Sequence, residues 1–281
     1  MKADRIVRAR VLTFDPQSSV AEAIAIANGK VLAVGSWQDV LEFRHPGTAI
    51  DDFRDATVIP GFNDAHAHMD NPGMQTLLPS LAGARSIADI IERIRKLAAA
   101  APKGSWIVTM PVGEPPLYID PLSQIAERRM PTRQELDSVA PDHPVYIPAQ
   151  NSFWSGVPCY SALNSLGLKL NGIDRDTRPR ARSIEIQYGT DGEPNGVIVE
   201  KTFANLVEPD LLPAVPRFKY QDRLQAVQHA MKMYHAVGTT SIYEGHSSTP
   251  EILSCYRELH ERGELTMRVS TVAAPVWTDI E

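Results

Sequence analysis

The first part of the chain alternates between apolar and polar residues, as strands do. Residues 23–35 read AIAIANGKVLAVG, two apolar-rich arms on either side of Asn28-Gly29. This dipeptide tolerates the positive φ angles of a tight hairpin turn. Similar alternation in residues 5–15 and 48–60 extends the pattern. The sequence therefore predicts a small β-rich domain over residues 1–57.

After Asp70 the apolar spacing changes to that of helices alternating with strands. Ser86 is placed to cap a helix whose first turn contains Asp89, and the helix carries an apolar stripe of Ile87, Ile90, Ile91, Ile94 and Leu97. Two further helices are predicted, one over residues 220–238 ending at Gly238 and one opening at Thr249-Pro250. The segments SWIVTM, TTSIYEG and LTMRVSTVAA read as strands.

Strands that alternate with helices favour a parallel sheet or barrel of βα units. We therefore predict an α/β barrel domain over residues 58–281. It is interrupted at about 111–217 by an irregular insertion rich in Pro and Gly. Irregular stretches of this length are usually functional or form a subdomain.

Composition narrows the classes of partner. The 281 residues carry a formal net charge of -6, which gives no electrostatic reason to expect nucleic acid or an anionic membrane as a partner. No apolar run approaches the roughly 20 residues that span a bilayer. The two cysteines, Cys159 and Cys255, match no metal or disulfide spacing, and we expect buried thiols in a cytoplasmic protein.

The candidate chemistry lies in residues 58–70, VIPGFNDAHAHMD. Residues two apart share a face of a strand, so Asp64, His66 and His68 should project to one side. Neutral imidazoles are common ligands of zinc and related divalent ions. The alternative is an ordinary pair of surface or core histidines, because two ligands alone do not make a metal site.

The segment IPGFNDAHAHM resembles the Pro-Gly-Phe-x-Asp-x-His-x-His motif of the amidohydrolase superfamily. TRQELDSVAPDHPVYI, DGEPNGVIVE and AVGTTSIYEG resemble segments of its YtcJ-like branch, also called amidohydrolase family 3. The β-rich segment is similar to the family's N-terminal composite domain. The resemblance implies a metal-dependent-hydrolase (β/α)8 barrel with one or two divalent metals, usually zinc, bound here by His66 and His68. It also implies hydrolysis of a carbon–nitrogen bond, other than a peptide bond, in a small amide-like substrate.

Relatives complete this site with a bridging lysine or acid, two more histidines and a final aspartate. In this branch those motifs follow the region where the present chain stops, so we expect an incomplete barrel, a fragment of a longer enzyme. The general acid/base is then expected beyond Glu281, and the chain alone should bind zinc weakly.

Three further residues are candidates for the second coordination shell or for substrate contact. They are Glu200, Glu244 and His246, in addition to Asp64. The alternative is a solvated acid for Glu200 and a solvent-exposed loop residue for His246. Two alternative functions stay open: an inactive fragment that acts as a binding module, and a related barrel enzyme with isomerase or esterase activity. Homo-oligomerisation also stays open.

Overall fold

The computed structural model describes residues 1–115, 117–151 and 155–273, apart from the side chains at 71 and 246–248. Its strands are β1 (Arg5–Leu12), β2 (Val20–Ala27), β3 (Lys30–Gly35), β4 (Ala49–Val58), β5 (Phe62–Ala67), β6 (Ile107–Val108), β7 (Val145–Ile147), β8 (Cys159–Leu163), β9 (Ile184–Tyr188), β10 (Pro194–Glu200), β11 (Thr239–Ser248) and β12 (Arg268–Ala273). Its helices are α1 (Trp37–Leu41), α2 (Asp70–Met74), α3 (Ile87–Ala100), α4 (Arg133–Asp137), α5 (Ser165–Leu170), α6 (Val207–Leu211), α7 (Tyr220–Ala236) and α8 (Pro250–Glu261). Among the helices so described, none is both long and apolar enough to cross a membrane.

The described residues divide into two compact units. One comprises Met1–Ala65 and Tyr234–Tyr243, and the other comprises His66–Met233 and the described residues from Glu244 onward. The domain boundary predicted after residue 57 stays a prediction.

A four-stranded sheet in the order β3-β2-β1-β4 occupies the N-terminal region. The hairpin prediction is confirmed: β2 and β3 pair antiparallel, and Asn28 and Gly29 both have positive φ, 51° and 69°. Alternation along β2 places Ala23 and Ala25 in a small core with Ile6. β4 forms the other edge of the sheet and pairs parallel to β1.

A five-stranded sheet in the order β6-β7-β8-β10-β9 forms the centre of the second unit. Only β6 and β7 are parallel, and the later pairs are antiparallel. α3 contributes fully buried Ile90 and Ile94 to the core over this sheet. The predicted cap of this helix is confirmed, because the Ser86 side chain accepts a hydrogen bond from Asp89 N.

The third sheet has the order β12-β11-β5. The helix that precedes β11 ends at Ala236, two residues before the predicted Gly238, whose φ is +82°. The helix that follows β11 begins with Thr249 as N-cap and proline at its first position.

The prediction of a barrel is not confirmed. The described residues form mixed α/β structure with three separate sheets and no closed barrel. The segment SWIVTM, expected to be a barrel strand, contributes only the two residues of β6, and these join the mixed sheet. Alternation of strands with helices indicates where strands occur, but it does not specify the direction in which neighbouring strands pair.

Candidate metal centre

The two histidines of the HAHM segment lie side by side at the end of β5. Their ring centroids are 5.3 Å apart, with the ring planes at 75°. The intervening Ala67 and the following Met69 are buried, 2% and 0% exposed, so the alternation of a strand continues through the pair. The shared side predicted for His66 and His68 is therefore confirmed, whereas their role as metal ligands stays a prediction.

The backbone of β11 fixes the position of the first imidazole. A Cβ atom added to Gly245 would lie 2.5 Å from both Cε1 and Nδ1 of His66, far inside the usual contact distance of about 3.5–4.0 Å. Only glycine lets this ring lie so close to the neighbouring strand. Sequence reasoning missed this residue, because nothing in the motif indicates which backbone the ring will contact.

A buried carboxylate holds the backbone immediately after the second histidine. Glu244, 6% exposed, accepts a hydrogen bond of 2.9 Å from Met69 N through Oε1, and the same oxygen accepts a hydrogen bond from the Tyr256 hydroxyl of α8. Burial raises the pKa of Glu244, although both hydrogen bonds oppose that shift. Glu244 therefore connects β11, α8 and the residue after His68, as a positioning residue would.

Helix α2 begins two residues after His68 and is tied to α7 by charge and close packing. Asp70 Oδ2 lies 3.2 Å from Nη1 of Arg223, and Arg223 Nε lies 2.8 Å from Oε2 of Glu251. A Cβ on Gly73 would lie 1.9 Å from the carbonyl oxygen of Ala226, so the two helices meet backbone to backbone there. These contacts fix where the chain runs as it leaves the histidine pair.

Of the remaining candidates, Glu200 has a clear structural role. It is 1% exposed at the end of β10, and its carboxylate accepts hydrogen bonds from Thr202 N, Thr202 Oγ1 and Leu206 N at 3.0–3.1 Å. Burial alone would raise the pKa of Glu200, but these bonds outweigh it and lower the pKa. The solvated acid considered from the sequence is wrong for this residue, since the carboxylate organises the loop after β10.

The other two candidates are Asp64 and His246. Asp64 is half-buried on β5, two residues before His66. The side chain of His246 lies outside the described residues. Within the described part of the chain, no three His, Cys, Asp or Glu side chains are grouped so as to hold a metal ion. The donors present, two imidazoles, suit a divalent metal in type, and they fall short of the roughly three protein ligands of a catalytic zinc site.

Comparison with known proteins identifies the family of the chain. The sequence model described as "Amidohydrolase family" matches residues 50–279, most of the chain. The chain belongs to the amidohydrolase family. It is 28% identical over 266 residues to an N-substituted formamide deformylase of Arthrobacter pascens, covering 92% of this chain and 45% of that protein. It is 26% identical to the putative amidohydrolase YtcJ of Bacillus subtilis (strain 168), covering 89% of this chain and 42% of that protein.

Solved structures show the same fold. An uncharacterized metal-dependent hydrolase from Pyrococcus horikoshii OT3 superposes with a TM-score of 0.65 at 21% identity, over 96% of this chain and 48% of that one. A corresponding protein from Pyrococcus furiosus gives a TM-score of 0.65 at 20% identity, over 95% and 49%. The chain thus spans about half the length of each of these four proteins.

Proposed function

We propose that this chain supplies the His66–His68 part of the metal centre of a hydrolase that acts on carbon–nitrogen bonds other than peptide bonds. The observation that carries the proposal is the pair of adjacent imidazoles, 5.3 Å apart, in a chain of the amidohydrolase family. The close approach of Gly245 to His66 and the Glu244–Met69 hydrogen bond support it, because both restrict where the two rings can lie.

In this proposal His66 and His68 bind a divalent ion, zinc being the usual ion of the family. The ion supplies Lewis-acid activation of water and of the carbonyl group under attack. Glu244 orients the ligand-bearing segment through Oε1, which accepts hydrogen bonds from Met69 N and the Tyr256 hydroxyl.

The substrate class proposed is a small molecule with an amide-like bond. It is supported by the Arthrobacter pascens relative, which is named as a deformylase of N-substituted formamides. Since the chain spans 45% of that relative, the activity of the whole protein, its substrate and its number of metal ions are parts of the proposal.

Zinc titration of the purified chain tests the ligand assignment. We expect weak binding, because two imidazoles fall short of a complete site. His66→Ala and His68→Ala should each lower the affinity by at least about tenfold, since even outer-shell changes around ligating histidines cost 10–100-fold. His260→Ala, an exposed histidine near the end of α8, is the matched control and should leave binding unchanged.

Zinc affinity that is the same in the His66, His68 and His260 variants would contradict the assignment. Hydrolysis of N-formyl and N-acyl substrates should be measured on the same samples, and we expect none. Tight stoichiometric zinc with turnover that is lost in His66→Ala would show that the chain holds a complete site, against the fragment hypothesis.

A further inference from the structure

A cavity of about 610 Å³ lies in the second unit, with walls from the segment after α2, the end of α3, strand β6 and the segment that leads into α7. Its lining is mainly apolar and includes Leu77, Trp106, Met110 and Phe218. Neither histidine of the candidate metal centre is among its described lining residues. Its volume falls within the range of about 300–1,000 Å³ of small-molecule sites, which combine apolar walls with a few polar groups.

Most polar groups in this cavity already have partners. The Tyr146 hydroxyl donates to Glu208 Oε1 at 3.0 Å. Arg217 pairs with the same carboxylate, and its Nη2 donates to the carbonyl oxygens of Glu208 and Leu212 at 3.0 and 3.1 Å. Burial raises the pKa of Tyr146 well above its usual value, so the phenol stays neutral. This part of the wall is a closed network with no spare charge.

The other two charged residues of the lining, Lys219 and Asp222, lie at the start of α7. Asp222 Oδ2 accepts a hydrogen bond of 2.7 Å from the backbone N of Lys219, so this carboxylate is engaged at the helix N-terminus, where negative charge is favoured. The Lys219 ammonium, exposed and part of the lining, has no acidic partner among the described residues. Its donors are therefore available to an acceptor at the edge of an apolar cavity.

We propose that this cavity binds a small organic carboxylate with an apolar body, aromatic or branched aliphatic. The body would lie against the apolar wall near Trp106 and Met110, and the carboxylate would meet the Lys219 ammonium. Both parts of the ligand are required by this assignment: the apolar volume gives most of the affinity, and the cation selects an anionic end.

The test uses the 281-residue chain in EDTA, so that it does not depend on the metal centre. 4-Phenylbutyrate, the uncharged 4-phenyl-1-butanol and butyrate are titrated by calorimetry and by tryptophan fluorescence. We expect 4-phenylbutyrate to bind more tightly than either analogue and to change a fluorescence signal that disappears in Trp106→Phe.

Two variants separate the parts of the site. Lys219→Gln should weaken 4-phenylbutyrate by about two- to fivefold, the range of an exposed ion pair, and leave the alcohol unchanged. Lys232→Gln, an exposed lysine on α7 outside the lining, is its control. Ala101→Phe, which fills the cavity from the end of α3, should weaken both aromatic ligands by at least tenfold.

Absence of a Trp106-dependent response to 4-phenylbutyrate in the unmodified chain would overturn the proposal, whatever the stability of the variants. Equal binding of acid and alcohol in the unmodified chain and in Lys219→Gln would overturn the choice of a carboxylate. Binding that survives Ala101→Phe in a protein with an unchanged melting temperature would place the ligand elsewhere and would also overturn it.

Discussion

Replacing Gly245 by alanine should move the His66 imidazole while leaving the stability of the fold nearly unchanged. The new Cβ would lie 2.5 Å from Cε1 and Nδ1 of His66 and 2.7 Å from Cγ. Carbon atoms in contact keep about 3.5–4.0 Å, so the ring has to move by about 1 Å. Because His66 is exposed, its side chain can rotate away from the new Cβ. We therefore expect the ring to move and the strand backbone to keep its position.

The magnitude follows from the cost of that movement. Holding an imidazole about 30° from its preferred rotamer costs about 0.5–1.5 kcal/mol. At about 1.4 kcal/mol for each factor of ten, zinc affinity should fall by about two- to twelvefold. The free energy of unfolding should change little, because glycine-to-alanine at a permitted backbone conformation itself stabilises by about 0.4–1 kcal/mol through the unfolded chain.

Zinc titration and the nuclear magnetic resonance signal of the His66 Cε1 proton measure the two consequences, and the second needs no metal. Gly35→Ala is the control, since Gly35 also belongs to a strand and its Cβ would come no closer than 3.8 Å to a neighbouring atom. An unchanged His66 resonance together with unchanged zinc affinity in Gly245→Ala would refute the reasoning. Loss of the folded state would refute it too, because the ring and not the backbone is expected to yield.

Three other predictions concern stability and reactivity. Glu244→Ala should lower the free energy of unfolding by about 2–6 kcal/mol in a urea titration, since two buried donors lose their acceptor at about 1–3 kcal/mol each; a loss below 1 kcal/mol would contradict this. Glu135, whose pKa is lowered to about 2 chiefly by Arg129, stabilises the fold above its unfolded pKa near 4.5, and this contribution is lost as the pH falls toward 2. Glu135→Gln should therefore cost about 1 kcal/mol at pH 7, after screening of this partly exposed pair, and nothing near pH 2; a cost independent of pH would contradict it. Cys159 and Cys255, both buried and with pKa values raised by burial, should react with iodoacetamide only after denaturation, and rapid labelling of the native chain would show that burial does not protect them.

Local features of the fold could be predicted from the sequence because short-range chemistry determines them. The Asn28-Gly29 hairpin depends on two residues that accept positive φ, and the structure has both in that region. The start of α3 depends on one side-chain acceptor, Ser86, three residues before the backbone N–H that it binds. Each signal lies within four residues of the feature that it specifies.

The arrangement of the sheets could not be predicted in the same way. β10 lies within the predicted irregular insertion, and the structure shows a strand there that is buried along nearly its whole length. Whether β10 pairs parallel or antiparallel with β8 depends on the route of the chain between them, which carries no periodic signal. The sequence predicted an irregular insertion over about 111–217, whereas the structure places β7, β8, β9 and β10 there, and their pairs are antiparallel.

The candidate site depends both on local sequence signals and on contacts with distant parts of the chain. Strand parity is a local rule, so it placed His66 and His68 on one side without knowledge of the fold. The groups that restrict the pair come from far along the chain: Glu244 is 175 residues from Met69, the residue whose N–H it binds. Gly245 acts through the absence of a side chain, which leaves no sign in the sequence beyond an ordinary strand glycine. The candidate ligands are therefore readable from a short motif, whereas their geometry depends on the neighbouring strand. We expect substitutions on β11 to change zinc affinity without altering a single donor atom.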